Sequence, residues 1–289
     1  MDELLSAIQS VSLTGYIILT MAAMGMKLAL PQIIETFGRR RLIVFSALVN
    51  LVAVPVVAAV ALLVFELPDS AVIAVVLLAA APGYAPIMSA RSHGDLAFST
   101  TLIFLLSSVS VVTVPLTASL LFAGQADVSV DPWSIIRTLL LFQLIPLGAG
   151  MLFRSAQEPT AERWAPLLAQ AAQIAVVIAV ITYLVDLIRT DDTPLLDLGW
   201  QPFVAWALIS GAALVLGYLA GGPRESSRRT LSLHTVIRNV GLALLIASNS
   251  FADMGSEVAI LAVALVMYPI ALIAMTSWKS KPVGLEATS

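Results

Sequence analysis

The sequence predicts an all-α polytopic membrane protein, and three observations carry that prediction. Of 289 residues, 59% are hydrophobic and only 11% are charged, too little polar surface to coat a soluble domain of this length. The apolar residues fall in runs of about 18 to 28, long enough to cross a hydrocarbon core of roughly 30 Å as helices. Those runs lack the alternation of a barrel strand, and lipid admits only helices or closed barrels.

Charges, prolines and glycines punctuate the chain into about nine spans, near 13–30, 42–65, 70–91, 96–123, 134–153, 165–188, 202–220, 230–252 and 257–278. The first follows a segment carrying Asp2 and Glu3 rather than a basic region, so it reads as a permanent helix and not a cleaved signal peptide. The second follows Arg39, Arg40 and Arg41. The third is interrupted by Pro82, Gly83 and Pro86. The fourth follows Gly94 and Asp95, where the aspartate suits an N-cap better than a proton relay. Ser107, Ser108 and Ser110 within it suit close helix packing. The fifth holds Gln143 ahead of Pro146, an isolated polar residue of little diagnostic weight. The sixth and seventh are plain apolar runs, the eighth carries polar residues, and the ninth ends at a short tail, 279–289. Trp133, Trp164, Trp200 and Trp278 fall at span ends, where amphipathic rings favour the interface; Trp206 alone lies within a span. The short connections imply one membrane domain over 1–289.

Loop charge sets the orientation, because Lys and Arg favour the cytoplasmic side. Arg39 to Arg41, Arg91, Arg154, Arg163, Arg224, Arg228, Arg229, Lys279 and Lys281 all fall on one side. The opposite loops carry Glu66, Asp69, Asp127, Asp131, Asp191, Asp192, Asp197 and Asp253, with Arg189 as the main exception. The N-terminus is thus expected outside and the C-terminus in the cytoplasm, in a bacterial inner membrane.

Two spans break the apolar pattern. In AVIAVVLLAAAPGYAPIMSARSHGD, two prolines beside a glycine remove backbone donors and should unwind the helix half-way along. Carbonyls and amides freed at that depth must face protein or a wet cavity. In TLSLHTVIRNVGLALLIASNSF, His234, Arg238, Asn239 and Gly241 interrupt the apolar run. An arginine at the bilayer centre costs roughly 2.5 to 3.5 kcal/mol on insertion scales, a cost met where the group faces a partner, a substrate or water. His234 and Arg238 are four apart, on one helical face. One broken helix in each half, entering from opposite sides, is the pattern of an inverted-repeat transporter with its site at the midplane. The repeats are expected over about 11–123 and 134–278.

Several functions are excluded. The chain has no cysteine, which removes disulfides, thiolate catalysis and cysteine metal sites. A net charge of −3 gives no case for nucleic acid. There is no GxxxxGK[ST] run, no HExxH pair and no Gly-x-Ser-x-Gly elbow, so neither ATP-driven pumping nor an intramembrane enzyme is expected.

The residues that break the spans also carry a resemblance. GMKLALPQIIETFGRRRLIVFSALVNLVAVP, APGYAP followed by HGDLAFSTTL, and RNVGLALLIASNSF resemble helices of the bile acid:sodium symporter family, the last through that family's QNSGL-type motif. The resemblance covers nearly the whole chain and fits nine-helix members that lack the first helix. It implies a panel domain beside a core in which two unwound helices cross. It also implies carriage of small organic anions such as bile acids, pantoate and other carboxylates or sulfonates, commonly driven by two sodium ions. An arsenite-efflux protein of similar fold would need a membrane cysteine.

Carried over residue by residue, the sodium sites are altered. Asn50, five residues before Pro55, takes the place of a family glutamine. Ser99 keeps a hydroxyl, but the threonine one turn later is Ile103, and the TASN-like run of the first crossover becomes APIMS. The acidic residue shared by both sodium sites falls at His234, and the glutamine before Asn239 becomes Arg238. Asn50, Ser99 and Asn239 remain as sodium ligands in outline. A guanidinium, however, repels a cation a few ångströms away. Arg238 is therefore expected to stand in for a sodium ion. His234, whose unperturbed pKa is near 6.5, is the candidate for coupling to a proton. The substrate and ion site is thus expected on Asn50, Pro82, Gly83, Pro86, Ser99, His234, Arg238, Asn239 and Gly241, with no other cofactor. Two alternatives stand beside it: a membrane sensor that keeps the fold without transport, and a sodium symporter with a rearranged ion site.

Overall fold

In a computed structural model of the chain, residues 2–123, 131–189, 197–251 and 254–279 are described. The expected tail, apart from Lys279, and acidic residues Asp127, Asp191, Asp192 and Asp253 lie outside them. The described residues are helical almost throughout. In order they form α1 (Asp2–Lys27), α2 (Leu30–Gly38), α3 (Arg40–Val64), α4 (Asp69–Ala80), α5 (Pro86–Arg91), α6 (Leu96–Phe122) and α7 (Pro132–Ala156). There follow α8 (Glu158–Arg189), α9 (Gln201–Ala220), α10 (Glu225–Val236), α11 (Val240–Ser250), α12 (Ser256–Ala264) and α13 (Met267–Lys279).

Among the described residues six helices (α1, α3, α6, α7, α8 and α9) and the run formed by α12 and α13 are long and apolar enough to cross a membrane, so the protein is an integral membrane protein. Two of them begin earlier than the apolar runs suggest, at Leu4 rather than near 13 and at Glu158 rather than near 165. Nothing stops a helix at the membrane edge when Ala, Glu, Arg and Leu follow, because these are good helix formers in water too. The chain also turns at Leu28–Ala29 into α2, a short helix opened by Pro31 in its first turn, where the missing N–H costs nothing.

Two further segments are broken in their middles. The first stops as α4 at Ala80 and resumes as α5 at Pro86; the second stops as α10 at Val236 and resumes as α11 at Val240. α3 and α7 stay continuous, but each contains one π-helical turn, Val49–Ala53 and Leu140–Leu144. Both π turns end two residues ahead of a proline, Pro55 and Pro146. The proline has no N–H for the carbonyl four residues back, and the wider turn accommodates the loss without ending the helix.

The helices associate in two groups. α1 packs along α8 and α7, and α1 meets α7 at backbone contact: a Cβ on Gly25 would strike the Leu147 carbonyl, and one on Gly150 the Ala22 carbonyl. In the second group α9 lies on α10, α3 and α13, while α12 lies on α4. α4 is buried along almost its whole length, from Ala71 to Ala80, which places the first break at the centre of this group. Trp133, Trp164 and Trp200 are exposed at helix ends, whereas Trp206 is buried.

Candidate functional site

The two breaks meet. The backbones at Gly83 and Arg238 pair as an isolated antiparallel bridge: Tyr84 N–H donates to the Ile237 carbonyl at 2.8 Å and Asn239 N–H to the Pro82 carbonyl at 3.0 Å. Peptide groups that unwinding would leave unsatisfied in lipid therefore satisfy each other. Only glycine fits at 83, because a Cβ there would overlap the His234 carbonyl and crowd Asn50 Oδ1.

Arg238 sits at the crossing and is 2% exposed. Its Nε donates to the Leu78 carbonyl at 3.0 Å and its NH2 to the Ala79 carbonyl at 2.7 Å. NH1 donates to Asn50 Oδ1 at 3.0 Å and to the Thr235 carbonyl at 3.4 Å. NH2 also reaches the Asn50 carbonyl at 3.4 Å. Leu78 and Ala79 belong to the last turn of α4, and Thr235 to the last turn of α10. Such carbonyls have no partner within their helix, and each helix end carries roughly half a negative charge. Two negative helix ends thus converge on one guanidinium.

Asn50 completes this arrangement from the π turn of α3. Its amide donates to the Ser46 carbonyl at 3.0 Å and to Thr235 Oγ1 at 3.4 Å, while its oxygen accepts from Arg238. His234, fully buried, spans the other side of the crossing. Its Nε2 lies 2.7 Å from Ser99 Oγ, and its Nδ1 is 3.4 Å from Ala85 N–H and 3.5 Å from the Gly83 carbonyl. Either tautomer ties α6 to the unwound segment ahead of α5. Pro86 occupies the first turn of α5, and Pro82 contributes its carbonyl to the bridge.

Asn239 and Gly241 face a different space. Asn239 caps α11, its Oδ1 accepting from Leu242 N–H at 3.1 Å. Both border a cavity of about 670 Å³ that also takes in Tyr16, Tyr84, Tyr183 and Tyr268. Its walls come from both helix groups, with Val176 and Val180 of α8 on one side and Leu244 of α11 and Leu261 of α12 on the other. Gly241 lets the Tyr16 ring lie against the crossing, since a Cβ would overlap that ring. The lining is mostly apolar; tyrosines, Arg238, Asn239 and the unwound backbone are its polar members.

The nine residues expected at the site therefore divide. Asn50, Pro82, Gly83, Pro86, Ser99, His234 and Arg238 form or adjoin one buried network, while Asn239 and Gly241, and Arg238 as well, stand where the crossing meets the cavity. Ile103 is buried, and Asp95 caps α6 through Phe98 N–H at 3.0 Å while pairing with Arg39 at 2.6 Å. Among the described residues no group of three His, Asp or Glu side chains gathers as a metal site.

Sequence reasoning missed three residues. Thr235 joins Asn50, and its only signal was adjacency to His234. Arg229 was counted as a loop charge, yet it is 3% exposed and donates to Glu225, Ser92 and Trp278 oxygens. Gln143, buried in the π turn of α7, donates to the Ser107 carbonyl at 2.8 Å and Ser110 Oγ at 2.7 Å, linking α7 to α6. The usable signal was an amide shortly before a proline, as at Asn50.

Compared with known proteins, residues 14–189 match the family model described as the sodium bile acid symporter family. The matched range covers more than half the chain and includes α4 and α5, but ends before α10 and α11. No curated protein matches the chain.

Proposed function

Because the chain belongs to the sodium bile acid symporter family, we propose that it is a secondary transporter that moves a small organic anion by alternating access, with Arg238 in place of a coupling sodium ion. The observation that carries this reading is the guanidinium held between the C-terminal carbonyls of α4 and α10. That is where opposed half-helices create demand for a positive charge. A resident side chain meets the demand permanently, so no ion need enter to assemble the crossing.

The remaining oxygens support the same reading. Asn50 Oδ1 is engaged by Arg238, Ser99 Oγ by His234, and Asn239 Oδ1 by Leu242 N–H. A sodium ion would have to compete with an existing protein hydrogen bond at each, and at Asn50 with a buried guanidinium as well. These residues do not fit sodium. His234 is assigned as a tie between α6 and the first unwound segment, on the strength of its contacts with Ser99 and residues 83–85.

Nine membrane crossings follow if each broken pair, α4–α5 and α10–α11, spans once; the repeats then run over about 11–123 and 134–278, with the N-terminus outside. α1, α7 and α8 form the panel, and the other spans form the core. The substrate site is the tyrosine-lined cavity between them. Its apolar walls suit an anion with an apolar body, its charged end directed to the first turn of α11, a helix N-terminus. Motion of the panel against the core would expose the cavity to alternate sides.

Thermal-shift screening of carboxylates and sulfonates, bile acids and pantoate among them, tests this reading with and without sodium at two pH values. Ligand that binds the folded form raises its stability by mass action. The expected hit is an amphipathic anion whose effect is the same in sodium and choline salts. Stabilisation that appears only with sodium would overturn the assignment of Arg238. A ligand that binds but is not moved across a sealed bilayer would favour the sensor reading instead.

A further inference from the structure

A second cavity of about 670 Å³ opens at the opposite end of α3 from Glu66, between the start of α3 and the turn joining α9 to α10. Its rim carries Arg39, Arg40, Arg41, Arg224 and Ser227. Arg39 is held by Asp95 at 2.6 Å. Arg40, Arg41 and Arg224 are exposed and none is paired with an acid among the described residues. α3 begins here behind Arg39 with no side-chain cap on its first turn, so its N–H groups add to the positive field. The turn itself is drawn back by Arg228, whose Nε donates to the Gly222 carbonyl at 2.6 Å. Gly222 takes the left-handed conformation needed there, at φ +78.

The floor of this cavity is apolar, made by Leu42, Phe45, Leu219 and Ala220. Phe45 is 52% exposed and Leu219 71%. Beyond them the outward faces of both helices continue apolar and exposed, through Leu48 and Val52 on α3 and Val215 and Leu208 on α9. A cluster of guanidinium groups thus stands at the head of a short apolar groove, which exposed apolar side chains of α3 and α9 continue. A free phosphate would use only the head of this groove. A phosphate carrying acyl chains would use all of it.

We infer that this cavity is a binding site for an anionic phospholipid, its phosphate held by Arg40, Arg41, Arg224 and the first turn of α3, and its acyl chain lying between Phe45 and Leu219. Arginine suits this role because its planar fork matches phosphate oxygens two at a time, and basic pockets between helix ends at the cytoplasmic surface attract anionic headgroups. The inference is independent of what crosses the membrane and of Arg238.

Native mass spectrometry and thermal unfolding of the purified, delipidated full chain test it with three probes: phosphatidylglycerol, phosphatidylcholine with the same chains, and glycerol 3-phosphate. Phosphatidylglycerol is expected to remain as a one-to-one adduct and to raise Tm, while the other two do neither. Each arginine near the headgroup is worth about five-fold in affinity, so Arg40→Gln, Arg41→Gln and Arg224→Gln together weaken the adduct about a hundred-fold. Arg163→Gln, at an exposed site outside the cavity, leaves it unchanged. Should the triple variant fold poorly, Leu219→Glu sets a carboxylate in the exposed groove and is expected to expel the lipid alone. Equal retention of phosphatidylcholine, or full retention by these variants, would overturn the proposal. So would stabilisation by glycerol 3-phosphate equal to that by the lipid, which would mark a soluble phosphate ligand.

Discussion

Replacing Arg238 with methionine, a side chain of similar length without donors, isolates what the guanidinium does. The change strands the Leu78 and Ala79 carbonyls and Asn50 Oδ1, the three partners within 3.0 Å. The carbonyls of Thr235 and Asn50, at 3.4 Å, lose weaker contacts. A buried acceptor left without its donor costs about 1–3 kcal/mol, so the three close partners set a loss of roughly 3–9 kcal/mol. Water admitted from the neighbouring cavity and relaxation of the Asn50 amide bring the expectation to the lower part, about 3–5 kcal/mol. For a chain of this size about 1 kcal/mol corresponds to roughly 2–4 °C in Tm, so Arg238→Met is expected to unfold about 10 °C below the parent in the same detergent. Arg238→Lys keeps the charge but not the fork, and should fall between the two. A methionine variant within about 2 °C of the parent would refute the claim that the guanidinium holds the crossing together.

Three further substitutions probe separate parts of the structure. Gly83→Ala forces the unwound strands apart, because its Cβ meets the His234 carbonyl and Asn50 Oδ1; a loss of about 1–3 kcal/mol together with abolished uptake is expected in unfolding and flux assays. Asp95→Ala removes both an N-cap and a partly exposed ion pair, and should cost about 1–2 kcal/mol, whereas Arg39→Ala, which breaks only the pair, should cost under about 1 kcal/mol; equal losses would mean that the cap contributes nothing. Leu261→Trp fills the tyrosine-lined cavity from α12, and should remove ligand-induced stabilisation while shifting the ligand-free Tm by only a few degrees.

How much of this was legible from the residues depends on the range over which each effect acts. The first break follows from Pro82, Gly83 and Pro86 themselves, since a missing donor is a local property. The second was visible only as polar residues in an apolar run, because neither Ile237 nor Arg238 is a helix breaker; the helix opens there where pairing with residues 82–84 replaces its own hydrogen bonds. That the breaks pair, and that Arg238 reaches back to α4, are tertiary facts about residues about 160 positions apart. A long side chain does not announce its acceptor. For the same reason Arg229, in a basic stretch with Arg224 and Arg228, read as a solvated charge, although its guanidinium is packed between Glu225, Ser92 and Trp278. The π turns at Asn50 and Gln143 were equally hidden, since proline marks the disturbance but not which wider turn absorbs it.

The most direct test of the substitution of a guanidinium for a coupling ion is uptake by purified protein in sealed liposomes, using the anion that thermal screening selects. Inward gradients of sodium, potassium and protons would be compared at a fixed membrane potential. With Arg238 holding the crossing, uptake is the same in sodium and potassium, and sodium dependence emerges only when His234→Glu is combined with Arg238→Gln. Uptake by the unaltered protein that rises steeply with the sodium gradient would contradict the assignment.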